Sequence, residues 1–363
     1  MTSMTPPDSA RRVVIGVDTH KYVHVAVALD ELGTRLGEQH VPSNREGYAR
    51  LEVWATTLGR VRAFGIEGTG SYGAGLTSFL RRQGHRVIEV NRGDRRSRRA
   101  NGKSDTLDAE AAARSVLNGE SRATPKAGDG TVEMIRQIKI ARDTARKGKT
   151  SAMVTLKAVI VTAPSELREL LDGLTDKVLV ERCASLRPGA VTSPTAAAKH
   201  ALRTLARRHQ LLALEMASHD AILDGLTGAI APTLREGFGI GVDTAAEVLI
   251  VFGDNPERVH SEAAFAKLCG ACPVPASSGI TNRFRLSRAG HRDANAALYR
   301  AVIVRMRFHQ PTIAYVARRS SEGLSKREII RCLKRFLARE IYQRVMADQA
   351  PRQAAIAEPL VST

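Results

Sequence analysis

Four acidic side chains stand where a carboxylate can do more than solvate a surface. Asp18 closes the apolar run of Val13, Val14, Ile15 and Val17, and Glu67 follows the apolar stretch 61–66 and precedes Gly68, Gly70 and Gly73. Asp105 and Asp108 are three residues apart at the start of a helical stretch, so they share one face. Carboxylates converging from two strand ends and one helix start repel each other. Mg²⁺ or Mn²⁺ offsets that repulsion, since both favour oxygen ligands. Two such ions can activate a nucleophile and stabilise a leaving oxygen at phosphorus. Each acid also has a plainer use: Asp105 favours the helix dipole, Asp18 fits a turn, and Glu67 can accept backbone bonds in its glycine turn. The four together, in this order, favour the metal reading. His20 and His24 flank Asp18, one in a turn and one at the start of a strand, and are read as non-ligands.

A second group is nucleophilic. Ser277 and Ser278 precede Gly279 in the loop that begins at Cys272, and Arg283, Arg285, Arg288 and Arg292 follow. A serine hydroxyl can attack phosphorus once metal or a base activates it, and arginines can hold the non-bridging oxygens. Taken alone, such a serine is better explained as bonding to its own backbone. Upstream, Gly237, Gly239 and Gly241 precede an apolar helix in the manner of a helix-hairpin-helix turn, where backbone N–H groups suit phosphate. A glycine-rich helix start without a ligand is equally common. A third group is cationic: Arg86, Arg92, Arg95, Arg96, Arg98, Arg99 and Lys103 face only Glu89 and Asp94 across 86–103, directly before Asp105. A phosphate backbone passing the carboxylates needs such a counter-charge.

The elements that must carry these residues follow from hydrophobic periodicity. Residues 12–42 alternate as three strands, with a turn at 19–22. Ser43 or Asn44 caps a helix, 61–66 reads as a strand, 72–83 as a helix, and 87–90 as a strand. Ser104 caps a further helix to about Leu117. The order β-β-β-α-β-α-β-α gives an α/β domain with a mixed sheet. Beyond Pro125 the chain turns helical: 131–163 and 196–230 form a long hairpin, with Leu202, Leu205, Leu212, Met216, Leu223 and Ile230 near heptad spacing. That hairpin can hardly bury its stripe alone and is expected to pair with another subunit. Helices at 245–252, 261–268, 291–308 and 325–346 follow, with a loop of little periodicity at 273–288. The last basic run, 318–344, reads as a core-packed helix whose outer face touches phosphate. The fold class is thus α/β plus α, divided as 12–122, 130–230 and 232–347.

The whole chain narrows the partners. Its 363 residues carry a net charge of +18 and a pI near 10.3, which implies a polyanion. No stretch approaches the ~20 apolar residues of a membrane span, no amphipathic anchor is evident, and Met1 to Arg12 lacks a signal peptide's apolar core. Nucleic acid is therefore favoured over a membrane surface, and a cytoplasmic protein is expected. Cys269 and Cys272 form a lone C-x-x-C without a second pair, and read as small buried residues at a helix end rather than a zinc site.

The strings Gly-Val-Asp-Thr-His-Lys (16–21), Glu-Gly-Thr-Gly-Ser-Tyr-Gly (67–73) and Lys-Ser-Asp-Thr-Leu-Asp-Ala (103–109) resemble the signature of the DEDD transposases. These form the insertion-sequence family numbered one-ten, with its eleven-eleven relatives. The resemblance implies an RNase H-like first domain similar to the RuvC junction resolvases, with Asp18, Glu67, Asp105 and Asp108 as metal ligands. Residues 239–301 resemble the family's second domain, in which the serine before the glycine is the nucleophile; that matches Ser278, with Ser277 one register away. It implies a serine recombinase acting on donor and target DNA through a phosphoserine link. It further implies a bridge RNA as guide, and a homodimer or homotetramer completing the site between protomers. Two other readings stay open: a junction-resolving nuclease using the carboxylates alone, and a non-enzymatic nucleic-acid scaffold. An actin-like sugar kinase is disfavoured by the charge and by the lack of a second phosphate-binding hairpin.

Overall fold

The computed structural model describes residues 11–91, 104–277, 284–287 and 290–357. They form two compact units, one of residues up to 128 with 252–258, the other of 129–251 with 259 onward.

The first unit is built on a five-stranded mixed sheet in the order β3-β2-β1-β4-β5. Its strands are β1 (Arg12–Thr19), β2 (Val23–Asp30), β3 (Arg35–Pro42), β4 (Arg60–Glu67) and β5 (Val87–Val90). β1 pairs antiparallel with β2 and β2 with β3, whereas β1–β4 and β4–β5 are parallel. Such an arrangement is compatible with the RNase H-like expectation. Alternation divides the strands between two cores. Ile15, Val17, Ala26, Phe64 and Ile66 face α1 (Arg45–Thr57) and α2 (Ala74–Arg82), meeting Leu51, Leu76 and Leu80. Val14, Val25, Val27 and Ala63 face α3 (Asp105–Leu117), meeting Ala109, Ala112, Ala113 and Val116. Each large side chain buried here contributes about 1.5–3 kcal/mol. Of the two candidate caps of α1, Asn44 takes the role, accepting from Gly47 N at 2.9 Å.

α3 lies unusually close to the sheet, because Gly16 and Gly65 leave room for it. A Cβ on Gly16 would stand 2.0 Å from the Ala109 carbonyl oxygen, and one on Gly65 2.6 Å from Val116 Cγ2. The segment 252–258 is held to this unit by Asn255, which accepts from Ala127 N at 2.9 Å and donates to the Pro125 carbonyl at 3.0 Å.

The second unit is helical. α4 (Thr131–Val161) and α7 (Pro194–Ile230) pack along each other, with Arg142 donating to Asp220 at 2.8 Å. The connection between α4 and α7 is more than a turn. It carries two short helices, α5 (Ser165–Leu171) and α6 (Asp176–Ala184), which close the hairpin's end around Leu156, Leu167, Leu179, Cys183 and Leu202. Their apolar positions are too few per helix for a periodic signal. Of the heptad stripe, Leu202, Leu223 and Ile230 are buried within the chain, and Leu205, Leu212 and Met216 are half-buried.

α8 (Pro232–Arg235), α9 (Val242–Phe252), α10 (Glu262–Leu268), α11 (Arg292–Phe308), α12 (Gln310–Ser321) and α13 (Lys326–Ala357) complete the unit. α12 escaped the sequence reading, and α13 runs past the expected end near 346. Asp348 ties α13 to α8 by accepting from Thr233 N and Leu234 N at 2.9 and 3.0 Å. The supposed loop 273–288 contains a hairpin of β6 (Pro273–Pro275) and β7 (Phe284–Leu286), in register Val274 to Arg285. Strands of three residues, one of them with two prolines, give no alternation to read.

Candidate active site

The parallel pairing of β1 with β4 runs to Val17 and Ile66, so Asp18 and Glu67 follow side by side at the same end of the sheet. Asp18 has the parity of Val14 and Gly16 and therefore faces α3. α3 begins there because Ser104 caps it, accepting from Leu107 N at 3.2 Å. That cap puts Asp105 and Asp108 in the first turn, where the helix dipole favours negative charge. Close packing of α3 on Gly16 thus brings its acidic first turn over the end of β1.

Asp18 is 8% exposed and Asp105 is open to solvent. Burial raises the Asp18 carboxyl above its ordinary value; His20 opposes this, and the charges of Asp108 and Asp105 add to it. His20 Nε2 lies 3.1 Å from Asp18 Oδ2 and 3.3 Å from Asp105 Oδ1. These three side chains offer ligand atoms within 4.8 Å of one another. Glu67 and Asp108 stand outside that closest group. Thr19 Oγ1 donates to the Glu67 carbonyl at 2.8 Å, fixing the two strand ends to each other. A carboxylate raised by burial and, less, by its acidic neighbours, with an imidazole and a second carboxylate in reach, is a donor set that fits a divalent cation.

His20 was read as a non-ligand, yet the turn after β1 folds it back onto Asp18. A histidine two residues beyond an acid at a strand end was the available signal. His24 is different: it is fully buried in β2 and stacks on Tyr48 at 5.7 Å, and burial lowers its pKa.

In the second unit, Ser277 is exposed in the connection after β6. Ser278, Arg283 and Arg288 lie outside the described residues, as do Arg92, Arg95, Arg96, Arg98, Arg99 and Lys103. Arg285 stands on β7 and lines a cavity with Lys334 and Arg335 of α13. Arg292 opens α11 in a groove with Ser287, His291 and Tyr299. His291 caps α11, its Nδ1 accepting from Ala294 N at 3.3 Å. Asn295 donates to the carbonyls of Cys269 and Gly270 at 2.8 and 3.0 Å, joining α11 to the residues that lead into β6. Cys269 is buried at the end of α10, and burial pushes its thiol to about 12, so it stays a protonated packing residue.

The glycine turn before α9 is already supplied with charge. Asp243, in the first turn of α9, meets Arg300 at 2.7 Å, Arg142 at 3.0 Å and Lys139 at 3.1 Å. Lys139 is itself buried and also meets Asp143 at 2.5 Å and Glu247 at 2.8 Å. These cations are matched by carboxylates of the chain, which weakens the phosphate-site reading of this turn.

Among the described residues, no helix is long and apolar enough to cross a membrane. No curated protein matches the chain. Two family models do. A transposase model named for the DEDD site of IS110 matches residues 15–163, from the apolar core of β1 through the end of α4. The model of the IS116/IS110/IS902 transposase family matches residues 231–317, from α8 through most of α12. Their order along the chain is that of the two resemblances found in the sequence, and the family's chemistry requires DNA and divalent metal. The chain belongs to the IS110 family of DEDD transposases.

Proposed function

We propose that this transposase cuts and rejoins DNA through a phosphoserine link at Ser278, assisted by divalent metal at Asp18, Glu67, Asp105 and Asp108. The observation that carries the metal half is the convergence of Asp18, His20 and Asp105, with Asp108 close enough to disfavour ionisation of Asp18. Mg²⁺ or Mn²⁺ at these carboxylates would stabilise charge developing on the phosphoryl oxygens. Oxygen donors are what both ions favour.

The chemistry balances without an external energy source. The Ser278 Oγ attacks a DNA phosphorus, its proton passes to a base, and the P–O bond to one sugar oxygen breaks, that oxygen leaving as a hydroxyl. A hydroxyl of the new DNA partner then attacks the phosphoserine, restoring a phosphodiester and the free serine. The basic residues Arg285 and Arg292 flank the serine segment, and Arg283 and Arg288 belong to it in sequence. Their role is to hold the phosphate and offset its charge. The proposal further includes a bridge RNA that pairs with donor and target DNA, and has the arginine-rich stretch that contains Arg92, Arg95, Arg96, Arg98, Arg99 and Lys103 contact nucleic acid, DNA or RNA, through its phosphates. It requires the carboxylates and the serine to meet on one phosphate in a dimer or tetramer. In this reading 12–122 is the RuvC-like domain, 130–230 the coiled-coil region, and 232–347 the helix-hairpin-helix domain with the serine loop.

The test is an adduct search. The chain is expressed beside DNA from both flanks of its gene, denatured in detergent and digested with nuclease, and the DNA-linked peptide is mapped. An adduct at Ser278 that vanishes in Ser278→Ala and Asp18→Ala is expected. An adduct at Ser277 would move the nucleophile by one residue. Metal-dependent nicking without an adduct, unchanged in Ser278→Ala, would replace the proposal with a hydrolytic nuclease.

A further inference from the structure

The cavity beside the serine hairpin has no part in the metal site or the glycine turn. It measures about 690 Å³, within the range of ligand sites. Its walls include Phe284 and Arg285 of β7 and Arg331, Lys334, Arg335 and Phe336 of α13.

Among the described residues, two of its cations lack an anion. Lys334 is 5% exposed, and its ammonium donates to the neutral Asn295 Oδ1 at 2.7 Å. Among the described residues no carboxylate lies within ion-pair distance of Lys334 or Arg335, and the buried Nη1 of Arg335 has no hydrogen-bond partner. A buried cation without a counter-charge is costly. Glu328, the carboxylate in the lining, is engaged by Ser325 Oγ at 2.6 Å and lies 3.8 Å from Arg331. The cavity therefore has room for an anion on one side. On the other it offers aromatic surface: Phe284 is 61% and Phe336 52% exposed. The Phe336 ring is held edge-on by Tyr315 at 5.6 Å. Cations beside exposed rings are the combination that holds an unpaired nucleotide, through backbone charge and base stacking. Stacked duplex bases hide the faces that such rings need.

We propose that this cavity receives one unstacked nucleotide of the DNA strand next to the serine loop, its base against Phe284 and Phe336 and its phosphate on Lys334 and Arg335. The choice of DNA rests on the serine-loop reading above, since β6 leads directly into Ser277. The role is to hold the cut strand's neighbour out of the helix while new ends are exchanged.

The test is a binding measurement on the full-length chain with divalent ions chelated, so that it does not depend on strand cutting. Single-stranded oligodeoxynucleotides carrying 2-aminopurine are titrated against the same sequences as duplex and as RNA. Tighter binding of the single DNA strand is expected, with a change in 2-aminopurine emission on stacking. Phe336→Ala removes an exposed ring and should weaken that binding between about fivefold and a hundredfold. Arg335→Ala should lower the slope of log affinity against log salt by about 0.7, one phosphate's worth on a single strand. Unchanged affinity and emission in Phe336→Ala would overturn the proposal. An equal or stronger Phe336-dependent response to RNA would assign the cavity to the guide instead. A chain that forms no serine adduct can still bind in this way, and one that forms it can fail to, so the two readings fail separately.

Discussion

At the scale of single residues, the proposed metal site turns on Asp18 and its neighbours. Burial and two nearby acids work against its ionised form, a repulsion that a bound cation would relieve. Ligand that binds only the folded state raises its melting temperature by mass action. Mn²⁺ is therefore expected to raise the melting temperature of the wild-type chain, and Asp18→Asn to abolish that rise while itself melting higher than metal-free wild type. Calorimetry with and without Mn²⁺ checks both. A lower melting point for metal-free Asp18→Asn would mean that the carboxylate is held by favourable bonds rather than strained by repulsion. His20 contributes differently. An imidazole suits Mn²⁺ better than Mg²⁺, which keeps to oxygen. With its nitrogen 3.1 Å from Asp18 Oδ2, His20→Ala should weaken Mn²⁺ about tenfold, as loss of a ligand's polar neighbour typically does, and Mg²⁺ less. Isothermal titration with each ion separates the two effects, and equal losses would reduce His20 to a packing neighbour.

At the scale of elements, the seat of α3 decides whether the acids meet at all. A methyl on Gly16 would collide with the backbone of Ala109 and Ala113, at 2.0 and 2.3 Å. Gly16→Ala must push α3 away, costing about 1–3 kcal/mol as overpacking does and drawing Asp105 and Asp108 off Asp18. A lowered melting point with Mn²⁺ binding lost is expected from one thermal and one titration series; intact binding would show that the first turn moves independently of the helix body. Glycine at 16 was visible in the sequence, but its meaning was not, because a close helix approach is a tertiary fact. The same limit explains the other gaps. Long apolar repeats made β1, β2, α4 and α7 legible, and Ser104 marked the start of α3. The hairpin of β6 and β7 was not, since each strand has three residues. Nor was the return of His20 onto Asp18, which depends on a turn. Lys334 looked like one cation among nine in the basic run 318–344, and only packing distinguishes it. Burial lowers its pKa, with Arg331 adding and Cys269 opposing. A lysine with a depressed folded pKa leaves the unfolded chain holding more protons between the two pKa values, so stability rises with pH across that window up to its ordinary 10.5. Lys334→Met should flatten that slope and raise stability at neutral pH, read by denaturant unfolding at several pH values. A destabilised Met variant would mean that the bond to Asn295 outweighs the cost of burying the charge.

At the scale of the whole molecule, a net charge of +18 says that polyanions are attracted, not which cations touch them. The structure sorts the described cations into two kinds. Arg305 donates to both oxygens of Glu340 at 2.6 and 3.0 Å and to the Phe238 carbonyl at 2.8 Å, and its side chain is 11% exposed. It clamps α11, α13 and the glycine turn. Lys139 and Arg142 are likewise committed to carboxylates. Such residues stabilise the helical unit and have little charge left for phosphate. Among the described residues, Arg285 and Arg292 are exposed and stand outside these ion pairs, and by sequence the stretch from Arg92 to Lys103 adds a further run of positive charge. Affinity for duplex DNA falls with salt by about 0.9 in log–log slope per phosphate contacted. Replacing Arg95, Arg96, Arg98 and Arg99 by alanine together should therefore lower the slope by about 2–4 and leave the melting point nearly unchanged. Arg305→Ala should do the reverse, lowering stability by about 1–2 kcal/mol through the loss of its bonds to Glu340 and to the Phe238 carbonyl, with Arg344 left as the partner of Glu340 and the slope intact. Filter binding at graded salt beside thermal melts separates the two classes. A slope that falls equally in both variants would mean that the ion pairs of the helical unit open on DNA, and that the charge balance seen in the free chain is a resting state rather than a fixed scaffold.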